Sequence, residues 1–209
     1  MSVKTRLGWL AGIVLLGAAG WLGYMLVPRA AVQAPPPAAA VTVPPAHVAA
    51  DVAFMQEMIH HHAQAIAMVE LLKTRTTRDD MKRFAQRIEI SQNDEIQAMK
   101  TWLTDRKADV PMDHGHGAMM VNGAMMAAMP GMLTADQMAA LERARGPAFD
   151  QLFLTGMIQH HEGALAMVDA LLKTPGAGQE PVMFDFITHV DADQRMEISR
   201  MQQMQRNPR

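Results

Sequence analysis

The sequence predicts an all-α protein: a four-helix bundle built from two duplicated helical hairpins. Three observations predict it. An internal repeat runs at an offset of 99 residues. Phe54, Met58, Ile59, His61, His62, Ala65, Ala67, Met68 and Val69 recur as Phe153, Met157, Ile158, His160, His161, Ala164, Ala166, Met167 and Val168, nine identities in sixteen positions. A shorter match follows each copy, Gln92, Glu95, Ile96 and Met99 recurring as Gln194, Glu197, Ile198 and Met201. Apolar residues recur at helical spacing, and no segment alternates with the period of two of a half-buried strand. Each half therefore reads as helix, short loop, helix, and two such hairpins, each with an apolar face it cannot bury alone, pair into a bundle.

Taken in order, Leu7 to Val27 is an uncharged apolar run of 21 residues, long enough for a membrane-spanning helix. Lys4 and Arg6 ahead of it favour a cytoplasmic N-terminus and export of everything downstream. The small residues at Val32-Gln33-Ala34 offer the rival reading of a cleaved signal segment. In the first case the domain is anchored to a bacterial inner membrane and faces the periplasm; in the second it is secreted. Residues 28–50, rich in Pro and Ala, read as a semi-extended tether. The folded domain is expected over 51–206. It comprises repeat one over 51–104, a Met- and His-rich loop over 105–133, and a short helix with repeat two over 134–206. Thr74 to Asp80 and Thr174 to Gly178 are the turns within the two hairpins, the second punctuated by Pro and Gly. Thr134 and Gln137 form a capping-box pattern that starts the short helix, with Gly146-Pro147 as its expected end.

Composition narrows the chemistry. The 209 residues carry a formal net charge of −2 and only 5% aromatics, so neither a basic footprint nor a base-stacking surface for nucleic acid is present. Cysteine is absent while methionine reaches 21. Thiolate metal sites and disulfides are excluded, and soft-ligand chemistry must run through thioether sulfur.

Helical phase then sorts the run His60-His61-His62. With Met58 at zero and about 100° per residue, His61 falls near −60°, His62 near +40° and Ala65 near −20°. Met55, Met68, Val69 and Leu72 share that stripe, the face that must meet the bundle core. His60 falls near −160°, about opposite, and is expected to be exposed and tolerant of replacement. The second copy agrees: His160 and His161 keep the stripe beside Met157, and Gln159 replaces His60. On the partner helices Gln92 and Glu95, and likewise Gln194 and Glu197, intrude on an otherwise apolar stripe. A buried carboxylate needs a partner, and the imidazoles are the natural ones, since a ligating histidine commonly donates its other N–H to a carboxylate.

Inward Met58, Met68, Met99, Met157, Met167 and Met201 taken singly read as flexible core filler. Four inward histidines, duplicated beside methionine and facing carboxylates, read instead as a metal centre. Imidazole with thioether suits Cu(I) or Ag(I), whereas histidine with glutamate alone would suit Zn(II) or Cu(II). The segment between the repeats favours the soft ion. His114, His116, Met119 and Met120, with Met112, Met125, Met126, Met129 and Met132, crowd a loop that has no core to fill. This reads as a copper-capturing arm. A di-iron carboxylate site is not supported: Glu57-x-x-His60 has no second copy, Gly156 and Gln159 standing in its place. Neither a nucleophile–base arrangement nor a phosphate-binding glycine loop appears, so no enzymatic activity is expected.

The strings FMQEMIHHHAQAIAMVELL and FDQLFLTGMIQHHEGALAMVDALL, each followed by a Q-x-x-E-I-x-x-M helix, resemble the family called domain of unknown function 305. The resemblance covers about Asp51 to Met204. It implies a ferritin-like four-helix fold, an exported bacterial protein, and a role in periplasmic copper or silver binding and resistance. It also implies ligand roles for Met58, His61, His62, Met157, His160 and His161, with Glu95, Met99, Glu197 and Met201 opposite. One departure is that Trp102-Leu103 has no counterpart after Met201, where Met204-Gln205 stands. The expectation is therefore an extracytoplasmic Cu(I)-binding protein that sequesters copper or passes it to a trafficking partner. The rival is a structural or interaction module with buried His–Glu networks.

Overall fold

A computed structural model describes residues 47–111, 120–121, 124–125 and 129–207. It contains α1 (Ala49–Arg75), α2 (Asp79–Asp105), a minimal antiparallel pairing of β1 (Met120–Val121) with β2 (Ala124–Met125), α3 (Ala135–Arg143), α4 (Gly146–Leu172) and α5 (Pro181–Arg206). Helix α1 packs on α2, α4 on α5, and α1 on α4, while the short α3 leans on α1 and α4. The four long helices are the two hairpins of the duplication. Among the described residues no helix is long and apolar enough to cross a membrane; the apolar run at 7–27 and the tether up to residue 46 lie outside them.

Local chemistry sets the helix ends. Asp51 occupies the third position of α1, where its Oδ2 accepts from Val48 N at 2.9 Å. Its Oδ1 accepts from Gly178 N at 2.7 Å in the α4–α5 turn. A fully buried carboxylate thus satisfies an orphan helix N–H and ties the first hairpin to the second. Asp79 and Asp80 place negative charge in the first turn of α2. Thr134 and Gln137 make the reciprocal capping box that starts α3.

Helix α3 stops at Arg143, short of Gly146-Pro147. That dipeptide opens α4 instead, because proline's fixed φ and missing N–H suit the first turn of a helix.

The two central helices run antiparallel. Met58 of α1 shares an apolar cluster with Met167 of α4, and Met68 of α1 shares the other with Met157 of α4. Met99 joins the first cluster and Met201 the second. The core is therefore two apolar halves, exchanged by the duplication, and the histidines lie where α1 and α4 cross between them.

Candidate metal centre

His61, His62 and His161 are fully buried and His160 is 1% exposed. Together they form a polar row across the middle of the bundle. At one end His62 Nε2 donates to Glu95 Oε2 of α2 at 2.5 Å, and at the other His161 Nε2 donates to Glu197 Oε2 of α5 at 2.7 Å. Between them the His61 and His160 rings lie 3.9 Å apart, centroid to centroid, inclined at 41°. Within each pair the neighbouring rings are 6.3 and 6.2 Å apart.

The two inner imidazoles bond to backbone. His61 Nε2 donates to Pro130 O at 3.0 Å, and His160 Nε2 donates to His61 O at 2.9 Å. A carbonyl oxygen can only accept, so each of these rings carries its proton on Nε2. All four rings thus commit Nε2 to an oxygen. All four leave Nδ1 buried and without a hydrogen-bond partner. A buried polar atom left unsatisfied costs about 1–3 kcal/mol, so the row holds four unsatisfied Nδ1 atoms at an energetic cost. Gln92 and Gln194, each 1% exposed and one turn before the glutamates, also leave Oε1 unpartnered.

Electrostatics keeps the inner pair neutral. Burial, aided by the neighbouring His62, pushes His61 down to about 3. Burial first, then the neighbouring His61, puts His160 well below the ordinary histidine range. Protons therefore do not compete for these two Nδ1 atoms near neutral pH.

Bare imidazole Nδ1 atoms fit a metal better than they fit a purely structural network, which would satisfy them. Among the described residues, no three His, Asp or Glu side chains group closely enough to hold one ion by themselves. Any ion here must take few nitrogen ligands or add sulfur. Thioethers are available: Met58, Met68, Met99, Met157 and Met201 are fully buried and Met167 is 6% exposed, in the two clusters flanking the row. Of the loop candidates, His114, His116 and Met119 lie outside the described residues, and Met120 is described only as backbone in β1.

His60 corrects the phase argument. It is 7% exposed rather than open to solvent. One turn before it, Gln56 Nε2 donates to Asp109 O at 2.8 Å. One turn after it, Gln64 binds Leu133 through both its amide atoms. The two described ends of the α2–α3 connection, at Asp109 and Leu133, are thus gripped on both sides of His60, over a face of α1 that a bare four-helix bundle would expose.

The residues that sequence reasoning missed belong to that connection: Pro130, Gly131 and their partner Gly163. A signal existed. The two repeats differ at Glu57/Gly156, His60/Gln159 and Gln64/Gly163, spaced by three and four residues on one helix face.

Comparison with known proteins agrees with this architecture. The family model described as domain of unknown function (DUF305) matches residues 51–205. A solved DUF305 fragment from Deinococcus radiodurans is 26% identical and covers 77% of this chain and 97% of its own, with a TM-score of 0.64. CopM in the Cu(I)-bound form is 28% identical, covers 75% of this chain and 96% of its own, and has a TM-score of 0.57. CopM in an Ag-bound form, also 28% identical, covers 76% and 96%, with the same TM-score of 0.57. No curated protein matches the chain by sequence. With the duplicated bundle, the buried histidine row and a family match over nearly the whole folded domain, the chain belongs to the DUF305 family.

Proposed function

We propose that this protein binds Cu(I), or its mimic Ag(I), outside the cytoplasm, and that it sequesters the ion or hands it to a trafficking partner without catalysing a reaction. One observation carries the reading: four buried imidazoles with Nε2 committed and Nδ1 bare. The Nδ1 atoms of His61, His62, His160 and His161 would supply the nitrogen ligands, no more than two imidazoles to any one ion, with thioethers from Met58, Met99 and Met167 on one side and Met68, Met157 and Met201 on the other completing the coordination. Glu95 and Glu197 orient the outer imidazoles rather than bind. Imidazole and thioether without thiolate favour a soft monovalent ion. Tetrahedral Zn(II) would require more grouped nitrogen and oxygen ligands than the row provides. CopM, solved in Cu(I)-, Cu(II)- and Ag-bound forms, supports a copper or silver ligand. An N-terminal membrane anchor and the Met/His-rich arm expected over 112–132 belong to the same reading, except that Met129 is buried in the core and Met132 packs against it.

Anaerobic Cu(I) titration of the full chain against a competing chelator tests it. Binding is expected, and His61→Ala combined with His160→Ala should lower the stoichiometry. Binding no stronger than background would leave the rival reading, a His–Glu network that only specifies helix register.

A further inference from the structure

The connection between β2 and α3 returns over the α1–α4 crossing as a short strap, Met129–Leu133. Met129 is buried in the same apolar cluster as Met58 and Met99, and Leu133 in the one with Met68 and Met157. The strap therefore bridges the two core halves directly across the histidine row. We propose that it is a positioning element for His61, holding that imidazole in its Nε2–H form through the Pro130 carbonyl and making the two inner histidines inequivalent.

The strap is fastened at several points. Gln64 accepts from Leu133 N at 2.8 Å and donates to Leu133 O at 3.0 Å. Gln159 Nε2 donates to Gly131 O at 3.2 Å and to Met132 O at 3.4 Å. Its approach to α4 is possible only because two glycines meet there. A Cβ on Gly163 would stand 2.0 Å from Pro130 O, and one on Gly131, whose φ is +77°, would stand 2.4 Å from Gln159 O. Both distances are far inside van der Waals contact, and the obstructing atoms are backbone.

The duplication shows why this is a device of one side only. Repeat one offers Gln64 to grip the strap, and repeat two offers Gly163, its counterpart, to let the strap lie flat. Perfect two-fold symmetry would have His61 and His160 donate to equivalent carbonyls. Instead His160 uses His61 O, while His61 is left to the strap. With the Pro130 carbonyl gone, nothing in that contact would keep the His61 proton on Nε2 and the lone pair on Nδ1.

The decisive variant is Gly163→Ala, which adds a methyl where Pro130 O now sits while leaving α4 with a better helix former. The readout is nitrogen-15 NMR of the histidine tautomers in the metal-free full chain, followed by Ag(I) titration. His61 alone is expected to lose its single Nε2–H signature while His62, His160 and His161 keep theirs. Silver affinity should then fall about 10–100-fold, as is typical when a ligand's orienting partner is removed. Should Gly163→Ala fail to fold, Gln64→Ala, which only unfastens Leu133, must give the same His61-selective change. An unchanged His61 signature, or an equal change at all four histidines, overturns the proposal. The silver arm rests on the proposed function: a selective His61 change in a protein that binds no silver would sink that function and uphold the strap.

Discussion

Lowering the pH from about 6.5 to about 5 is expected to cost the metal-free protein roughly 2 kcal/mol at His61, with His160 adding to the loss in the same direction. The cause is burial. In the unfolded chain both imidazoles take up a proton as the pH falls through their ordinary value. In the folded chain His61 is pushed down to about 3 by burial and by His62, and His160 lies well below its ordinary range for the same principal reason. The unfolded state therefore binds more protons throughout this window. The stability that depends on these neutral rings is fully present above about 6.5 and drains away as the pH falls, at up to about 1.4 kcal/mol per pH unit for His61. His61 alone thus accounts for about 2 kcal/mol, a sizeable share of the 5–15 kcal/mol typical of a folded domain, and His160 adds to it. Urea unfolding followed by circular dichroism at several pH values between about 7 and 5 reads this as a falling midpoint at constant slope. His61→Leu removes one of the two titrating rings and should weaken the pH dependence. A midpoint that stays level across the window, or an unchanged dependence in His61→Leu, would refute the reasoning.

Two further predictions concern contacts outside the row. His60→Ala should destabilise by about 1–3 kcal/mol, because it empties a site only 7% exposed beneath the α2–α3 connection; a thermal midpoint equal to wild type would restore the view of His60 as a surface residue. Asp51→Ala strands the N–H groups of Val48 and Gly178 together. It should cost about 1–3 kcal/mol, seen as a fall in Tm of several degrees, with Asp51→Asn recovering part of it through its one remaining acceptor.

Much of the architecture was legible because it rests on local periodicity. The 99-residue repeat and the 3.6-residue phase place Met58, His61 and His62, and their second copies, on the core faces of α1 and α4. Burial of those residues follows once the apolar faces must meet. The same phase places Glu95 and Glu197 toward the imidazoles. His60 was misread because phase gives only a direction from the helix axis. Whether that direction ends in solvent depends on which distant segment lies there, and here Asp109 and Leu133 flank it through Gln56 and Gln64.

By itself, the sequence determined the duplicated hairpins, the inward histidines and the shortage of any soft ligand but methionine. Those features depend on residues within a turn or two of one another and on composition. Tertiary structure alone decided which nitrogen of each imidazole is bound, and that His61 answers to Pro130 while His160 answers to His61. These bonds join residues 69 and 99 positions apart, and no local pattern encodes such a pairing. The repeats did carry a trace of it, in Glu57/Gly156, His60/Gln159 and Gln64/Gly163, three of the positions on one face where they disagree. There Gly156, Gln159 and Gly163 make room and hydrogen bonds for a strap that only the folded chain brings to them.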